Sequence, residues 1–229
     1  VSAEPTEDGK RLPVAIKADV PPGIRWLRVW NAEGASELRP FLVGSFPEVK
    51  DTEPNQTVRA AQEVDPATGV VINGKLEKSN EVDVFPCSLK QGQTLVADVL
   101  ANQVLGSPMD AVLQIVSADG FTLAQEDDSP KFDPRIAFVA PADGEYAVRL
   151  FAFPAEPNSR IGFAGGGEFI YRLTLTTGPY RHHTTPLAVE RNVSTPVRWV
   201  GWNQPAESSP EEVKAADEDQ AGTAVAEVP

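Results

Sequence analysis

The chain has 229 residues, of which 33 are Asp or Glu and 20 are Lys or Arg, so its formal net charge is −13 at pH 7. Such an acidic chain is a poor partner for nucleic acid, because phosphate binding needs a basic face. The 41% of hydrophobic residues suffice for a core, and no stretch approaches the roughly 18 apolar residues of a membrane span.

The first part of the chain predicts a few strands that are too few for a domain of their own. Proline and glycine are frequent, at 21 and 17 residues, which favours short strands joined by tight turns. Alternating apolar residues predict strands at 14–20 and 24–30, and a third strand follows at 41–44. Because three strands cannot form a sandwich, we interpret residues 1–48 as the C-terminal strands of a preceding immunoglobulin-like domain.

The middle of the chain predicts a complete β-sandwich. Turn residues rich in Gly, Asp and Pro separate short apolar runs. The predicted strands are residues 70–72, 82–89, 94–100, 111–117, 136–139, 146–153 and 168–176. Seven or more short strands at this spacing indicate an all-β, jelly-roll-like sandwich. Alternation within two of them predicts the residues that face the core: Leu95, Ala97, Val99, Tyr146, Val148 and Leu150.

Beyond residue 178 the pattern changes again. Two strands are predicted, at 187–189 and 195–202, and we interpret residues 179–204 as the opening strands of a following immunoglobulin-like domain. Residues 205–229 are acidic and poor in aromatic residues, which is typical of a disordered tail. The N-terminal residues lack the features of a signal peptide, which indicates either a cytosolic protein or a processed or internal piece of a longer one.

Two segments of the central unit carry closely spaced oxygen-bearing side chains. Residues 51–56 form an extended lead-in, and residues 80–85 form a turn followed by a strand. Side chains from the two segments can converge on a hard cation such as calcium, which prefers oxygen ligands. The alternative reading is purely structural, since Asn55 and Asp83 are also good turn residues whose side chains bond nearby backbone N–H groups.

The order of short motifs in residues 49–178 resembles the bacterial pre-peptidase C-terminal domain. One characteristic feature is Asp83 just before the aromatic strand residue Phe85. The matching fragments are residues 53–55, 73–76, 81–85, 89–95, 109–113, 117–120, 126–128 and 143–148. The resemblance implies a jelly-roll sandwich, export to the cell surface or medium, and a role in adhesion or domain spacing without catalysis. By similarity to collagen-binding modules of clostridial collagenases, it also implies calcium ligands at Asp51, Glu53, Asn55, Asn80 and Asp83.

No set of catalytic residues is indicated. His182 and His183 are adjacent in a segment between predicted domains, so they lack the rigid scaffold that a Ser-His-Asp arrangement needs. Carboxylates are plentiful, but no motif positions two of them for glycoside hydrolysis. Cys87, the sole cysteine, lies in a predicted strand and is interpreted as a small buried apolar residue.

A binding surface is predicted at the loop of residues 154–167, which is flanked by aromatic residues. We select Phe163 and Phe169 as candidate ligand-binding residues. The sequence therefore predicts a non-catalytic, secreted module of a larger bacterial protein, with calcium as its cofactor. Its partner would be an extracellular protein or polysaccharide surface, or neighbouring domains of the same protein. The alternative is a carbohydrate-binding module of a polysaccharide-degrading protein.

Overall fold

A computed structural model describes residues 2–3, 6, 11–128, 131–156, 162–205, 210–213 and 223–227. Contacts divide the chain into two compact units. The first unit comprises Val1–Ser45 and Ala216–Pro229, and the second comprises Phe46–Ala215. Among the described residues, no helix has the length and apolar character needed to cross a membrane.

Strands make up almost all of the regular structure. In chain order, the described elements are β1 (Ser2–Ala3), β2 (Val14–Ala15), β3 (Gly23–Asn31), β4 (Gly34–Ala35), β5 (Arg39–Val43), β6 (Glu48–Lys50), β7 (Val70–Lys75), β8 (Asp83–Leu89), β9 (Thr94–Leu100), α1 (Asn102–Leu105), β10 (Met109–Ser117), β11 (Thr122–Glu126), β12 (Arg135–Val139), β13 (Gly144–Pro154), β14 (Ile170–Thr176), β15 (Tyr180–Thr185), β16 (Thr195–Trp202), β17 (Glu211–Val213) and β18 (Thr223–Glu227).

The smaller unit is built around β3, the strand that alternation in residues 24–30 predicts. β3 pairs antiparallel with β5 and β4, and parallel with β18. β1 and β2 form a separate antiparallel pair. The predicted strand at 14–20 is present only as Val14–Ala15. β3 lies early in the sequence and β18 lies late, so their pairing brings the two parts of the sequence together in this unit.

The larger unit is a two-sheet sandwich, which confirms the all-β, jelly-roll-like fold predicted from the sequence. One sheet has the strand order β11-β10-β13-β8, and the other has the order β12-β9-β14-β7-β6. The core between them contains all the inward-facing residues predicted above: Leu95, Ala97, Val99, Tyr146, Val148 and Leu150. Since side chains alternate along a strand, the intervening residues point away from the core.

A further hairpin packs on the sandwich. β15 and β16 pair antiparallel, and β17 extends that sheet. Tyr180 donates its hydroxyl proton to Asp98 on β9, with 2.5 Å between the oxygens, and Arg135 on β12 forms an ion pair of 2.7 Å with the same carboxylate. Asn203 also donates to the carbonyl oxygen of Thr94 at 2.9 Å. Residues 180–204 are thus tied to the sandwich by charged and neutral hydrogen bonds.

The flanking strands differ in part from prediction. The prediction of a strand at 187–189 is wrong. The strand that precedes β16 lies at Tyr180–Thr185. That segment has few apolar residues to signal a strand, and it is held in place by pairing with β16 from Tyr180 to Thr185. In the predicted acidic tail, the structure describes β17 and β18 as strands. The proposed boundaries of the immunoglobulin-like flanks stay predictions.

Candidate metal centre

The lead-in segment, residues 51–56, is fixed between two strands of opposite sheets. The backbone N–H of Asp51 donates to the carbonyl oxygen of Asn73 on β7 at 2.9 Å. The backbone N–H of Val84 on β8 donates to the carbonyl oxygen of Asn55 at 3.1 Å. These bonds bring the side chains of the lead-in segment to the start of β8, where Asp83 lies.

Three carboxylates converge at this point. Asp51, Glu53 and Asp83 each offer one oxygen, and these oxygens lie within 4.8 Å of one another. Asp83 is fully buried, Asp51 is half-buried and Glu53 is exposed. The cluster therefore opens to solvent on the Glu53 side and is closed on the Asp83 side. Several carboxylate oxygens in one place are the ligands that a hard divalent cation takes.

Tyr171 on β14 lies beneath the two aspartates. Its hydroxyl oxygen is 2.5 Å from Oδ2 of Asp83 and 3.1 Å from Oδ2 of Asp51. A phenol has a single proton, so it can donate to only one of these carboxylates at a time. The tyrosine fits here because its cross-strand neighbour on β7 is Gly74, where an added Cβ would lie 2.2 Å from the Tyr171 hydroxyl.

Two buried oxygens at the cluster have no hydrogen-bond partner among the described groups. They are Oδ1 of Asp83 and Oδ1 of Asn55, and both residues are completely buried. Asn55 donates its Nδ2 proton to Oδ1 of Asp51 at 2.7 Å, which fixes the amide beside the carboxylates. Buried acceptor atoms normally have a hydrogen-bond partner. A bound cation would give these two oxygens a partner, because it accepts their lone pairs.

The electrostatics of the cluster also fit a cation. The pKa of Asp83 is raised to about 8, first by burial and then by the negative charges of Asp51, Glu53 and Glu81, against the lowering effect of the hydrogen bond from Tyr171. The pKa of Glu53 is also raised, first by burial and then by the charges of Glu81 and Asp51. Without a positive charge the carboxylates repel one another, and a divalent ion would remove that repulsion.

Glu81 lies near the carboxylate cluster, although the sequence did not predict it as a ligand. It is 2% exposed. Its carboxylate accepts from the backbone N–H of Lys78 and from Nε2 of Gln56, each at 3.1 Å. Gln56 also donates to Glu53 at 3.0 Å. The signal that could have found Glu81 is its place in the turn before β8, two residues from Asp83.

Asn80 is placed differently from the other predicted ligands. It adopts a left-handed backbone conformation with φ of 65°. Its Oδ1 accepts from the backbone N–H of Phe163 at 3.2 Å, and its own N–H donates to the carbonyl oxygen of Phe163 at 3.0 Å. The structure thus brings Asp51, Glu53, Asn55 and Asp83 together, while the hydrogen bonds of Asn80 hold the loop at residue 163.

The two predicted ligand-binding phenylalanines lie in different environments. The ring of Phe163 is 4.3 Å from that of Phe151 and 5.5 Å from that of Phe153, measured between centroids. Phe169 instead packs against the sandwich core, and its carbonyl oxygen accepts from the N–H of Leu76 at 3.0 Å. Phe163 is therefore half-buried in a group with the buried Phe151 and the exposed Phe153, whereas Phe169 is part of the packing against the core.

The residues considered for catalysis are not organised for it. Cys87 is buried, and burial raises its thiol pKa to about 12, so the thiolate is scarce at neutral pH. The Nδ1 atoms of His182 and His183 lie 3.1 Å apart on β15. A bulge in the pairing of β15 with β16 at this point accounts for two consecutive side chains meeting.

Comparison with known proteins gives partial matches. No protein-family profile matches this chain. The chain is 33% identical over 123 residues to a probable subtilase-type serine protease of Deinococcus radiodurans, a match that covers 54% of this chain and 16% of that protein. The chain therefore corresponds to a small part of the curated relative that it matches.

Among solved structures, the chain is similar to the pre-peptidase C-terminal domain of collagenase from Bacillus anthracis. That match has 12% identity and a TM-score of 0.35, and it covers 58% of this chain and 98% of that domain. It is also similar to PliG of Aeromonas hydrophila, a periplasmic inhibitor of g-type lysozyme, with 11% identity, a TM-score of 0.32, and coverage of 66% and 97%. A pre-peptidase C-terminal domain, the kind of domain that the sequence resembles, is thus among the structural matches.

Proposed function

We propose that the chain is a non-catalytic β-sandwich module of a larger secreted bacterial protein, stabilised by calcium at the cluster of Asp51, Glu53, Asn55 and Asp83. The observation that supports the ion is the pair of buried oxygens without partners, on Asn55 and Asp83. Calcium suits the site better than magnesium, because its flexible coordination accepts mixed carboxylate and amide oxygens, whereas magnesium demands octahedral geometry.

The proposal of a module within a longer protein is supported by the comparison with the subtilase-type protease, in which the similar segment is 16% of the whole. Secretion is supported by the motif resemblance. The segments 1–48 and 179–204 are proposed to belong to neighbouring immunoglobulin-like domains, with residues 205–229 as an acidic tail. In this arrangement the module serves adhesion or the spacing of domains.

The calcium site is tested by thermal unfolding in excess calcium chloride and in a chelator. A ligand present at 100 times its Kd stabilises the folded state by about 2.7 kcal/mol. For a unit of this size, that corresponds to a rise in Tm of roughly 5–10 °C. The Asp51→Asn variant should lose the rise, because it removes a charged ligand. The control Asp119→Asn, at an exposed turn, should keep it. Superimposable melts of the unsubstituted protein would contradict the proposal.

A second candidate function is carbohydrate binding. It is favoured by the aromatic group of Phe151, Phe153 and Phe163, in which the Phe153 side chain is 41% exposed. Flat rings at a surface can stack on the apolar faces of sugars. Retention on insoluble polysaccharide that is lost in the Phe163→Ala variant supports this function, and absence of any retention favours the spacer role.

A further inference from the structure

Two imidazole rings meet on β15. His182 and His183 are consecutive residues, and consecutive side chains of a regular strand point to opposite faces. The pairing of β15 with β16 is irregular between Arg181 and His183, and a bulge of this kind changes the alternation. The Nδ1 atoms of the two rings lie 3.1 Å apart, and the ring centroids lie 4.9 Å apart. The fold thus brings both histidines of the chain to one point.

The fold also holds the two rings in place. His183 lies in register with Val200 on β16, and the ring of His182 packs beside that of Trp202, with 5.8 Å between the centroids. The hairpin itself is tied to the sandwich through Tyr180. His182 is exposed and His183 is half-buried. The pair is therefore anchored on a paired strand and is exposed to solvent on its His182 side.

The distances match two nitrogens bound to one metal ion. Imidazole nitrogens bind zinc at about 2.0–2.1 Å, so two of them at angles between about 90° and the tetrahedral value lie about 2.8–3.4 Å apart. The observed 3.1 Å falls within that range. In a symmetric pair of rings, whose centres lie about 1.15 Å behind the nitrogens, axes that narrow from 4.9 to 3.1 Å meet about 2.0 Å beyond the nitrogens. That length is a metal–nitrogen distance.

Two arginines near the pair are matched by carboxylates. Arg181, the preceding residue, forms an ion pair with Glu211 at 3.7 Å. Arg135 lies over the ring of Trp202 and forms an ion pair with Asp98 at 2.7 Å. Because both arginines are paired, the net charge of −13 favours the approach of a cation.

We propose that His182 and His183 bind one divalent transition-metal ion through their two Nδ1 atoms. Imidazole suits zinc, nickel and copper, whereas calcium takes oxygen ligands. The site therefore differs in kind from the carboxylate cluster, and it goes beyond the proposed function. In the part of the chain that the structure describes, the one group of three or more His, Cys, Asp or Glu residues placed for a metal is that cluster. Water or a donor from outside the chain would thus complete the coordination of the ion.

The position of the ring protons distinguishes a bound ion from a simple hydrogen bond. Each Nδ1 atom must present a lone pair to the ion, so both neutral rings carry their proton on Nε2 when the ion is bound. Without the ion, two facing lone pairs at 3.1 Å repel each other, and one ring donates an Nδ1–H proton to the other. Binding therefore moves the proton of one ring from Nδ1 to Nε2 and releases no proton from the neutral pair.

The test is a titration of the full chain with zinc chloride, in excess calcium chloride to compete for the carboxylate cluster. Long-range proton–nitrogen NMR spectra report which nitrogen of each ring carries the proton. We expect both rings to respond together at one zinc per chain and to end with the proton on Nε2. The His182→Gln and His183→Gln variants should each bind zinc at least about tenfold more weakly, because a single imidazole cannot chelate. Thr185→Gln, at an exposed position on the same strand, is the matched control and should bind zinc as the unsubstituted protein does.

Three results would overturn the site. If neither ring responds up to about 1 mM zinc, the range of weak binding, the pair is a hydrogen bond alone. A response of one ring only indicates a single surface imidazole. Undiminished zinc affinity in His182→Gln places the ion elsewhere, and because His182 is exposed, this variant keeps the test usable if His183→Gln fails to fold. None of these results bears on the calcium melts.

Discussion

The charge of Asp83 should control the stability of the calcium-free protein. Its carboxyl group is fully buried beside Asp51, Glu53 and Glu81, and its pKa is raised to about 8. Replacing it with asparagine, which has the same shape and no charge, removes the cost of ionising this group. The Asp83→Asn variant should therefore be more stable than the unsubstituted protein at high pH in the absence of calcium.

The size and sign of the effect follow from proton linkage. The usual pKa of 3.8 applies to the unfolded chain, so the folded carboxyl keeps its proton between about pH 4 and pH 8 while the unfolded one releases it. Folding stability therefore falls with rising pH across that window. A shift of about 4 pH units corresponds to at most about 6 kcal/mol. With roughly 2–4 °C in Tm for each kcal/mol, the variant should melt above the unsubstituted protein at pH 9, by at most about 12–24 °C.

The assay is a series of thermal melts between pH 4 and pH 9 in a chelator, repeated in calcium. At pH 4 the Tm difference should be smallest, because the folded carboxyl is protonated there and the unfolded one, with a pKa of 3.8, is still partly protonated. Calcium should raise the Tm of the unsubstituted protein at pH 8 and leave the Asp83→Asn variant unchanged. A Tm difference that does not vary with pH would refute the charge argument. An equal calcium response in both proteins would refute the role of Asp83 as a ligand.

Three further predictions concern other parts of the larger unit. Gly74→Ala should destabilise the protein by about 1–3 kcal/mol and remove the calcium response, because the added Cβ would overlap Tyr171. Thermal melts measure both effects, and the control is Gly167→Ala, where an added Cβ would have nothing within 4 Å. Tyr180→Phe should weaken the attachment of the β15–β16 hairpin by about 1.5–3 kcal/mol, the value of a hydrogen bond to a charged group, and hydrogen exchange should then speed up in residues 180–202 before the sandwich strands. Cys87 should resist a thiol reagent in the folded protein and react once on denaturation, because it is buried with a pKa of about 12; rapid labelling under native conditions would contradict its placement.

The local pattern of the sequence determined most of the sandwich. Strand alternation is a property of neighbouring residues, because successive side chains on a strand point to opposite faces. It therefore predicted correctly that Leu95 and Ala97 on β9, and Val148 and Leu150 on β13, face the core. The same local reading failed for β15, whose polar sequence forms a strand only because β16 pairs with it.

The sequence also indicated where oxygen ligands would gather, but the tertiary structure decided which of them meet. Asp83 and Tyr171 are 88 residues apart, and their hydrogen bond depends on the packing of the two sheets. Asn80 lies only three positions from Asp83, yet its left-handed backbone directs its bonds to Phe163. The fold, and not proximity in the chain, also left the Asn55 oxygen buried without a partner. Which polar groups are satisfied depends on contacts between distant segments, so no local pattern in the sequence could show it.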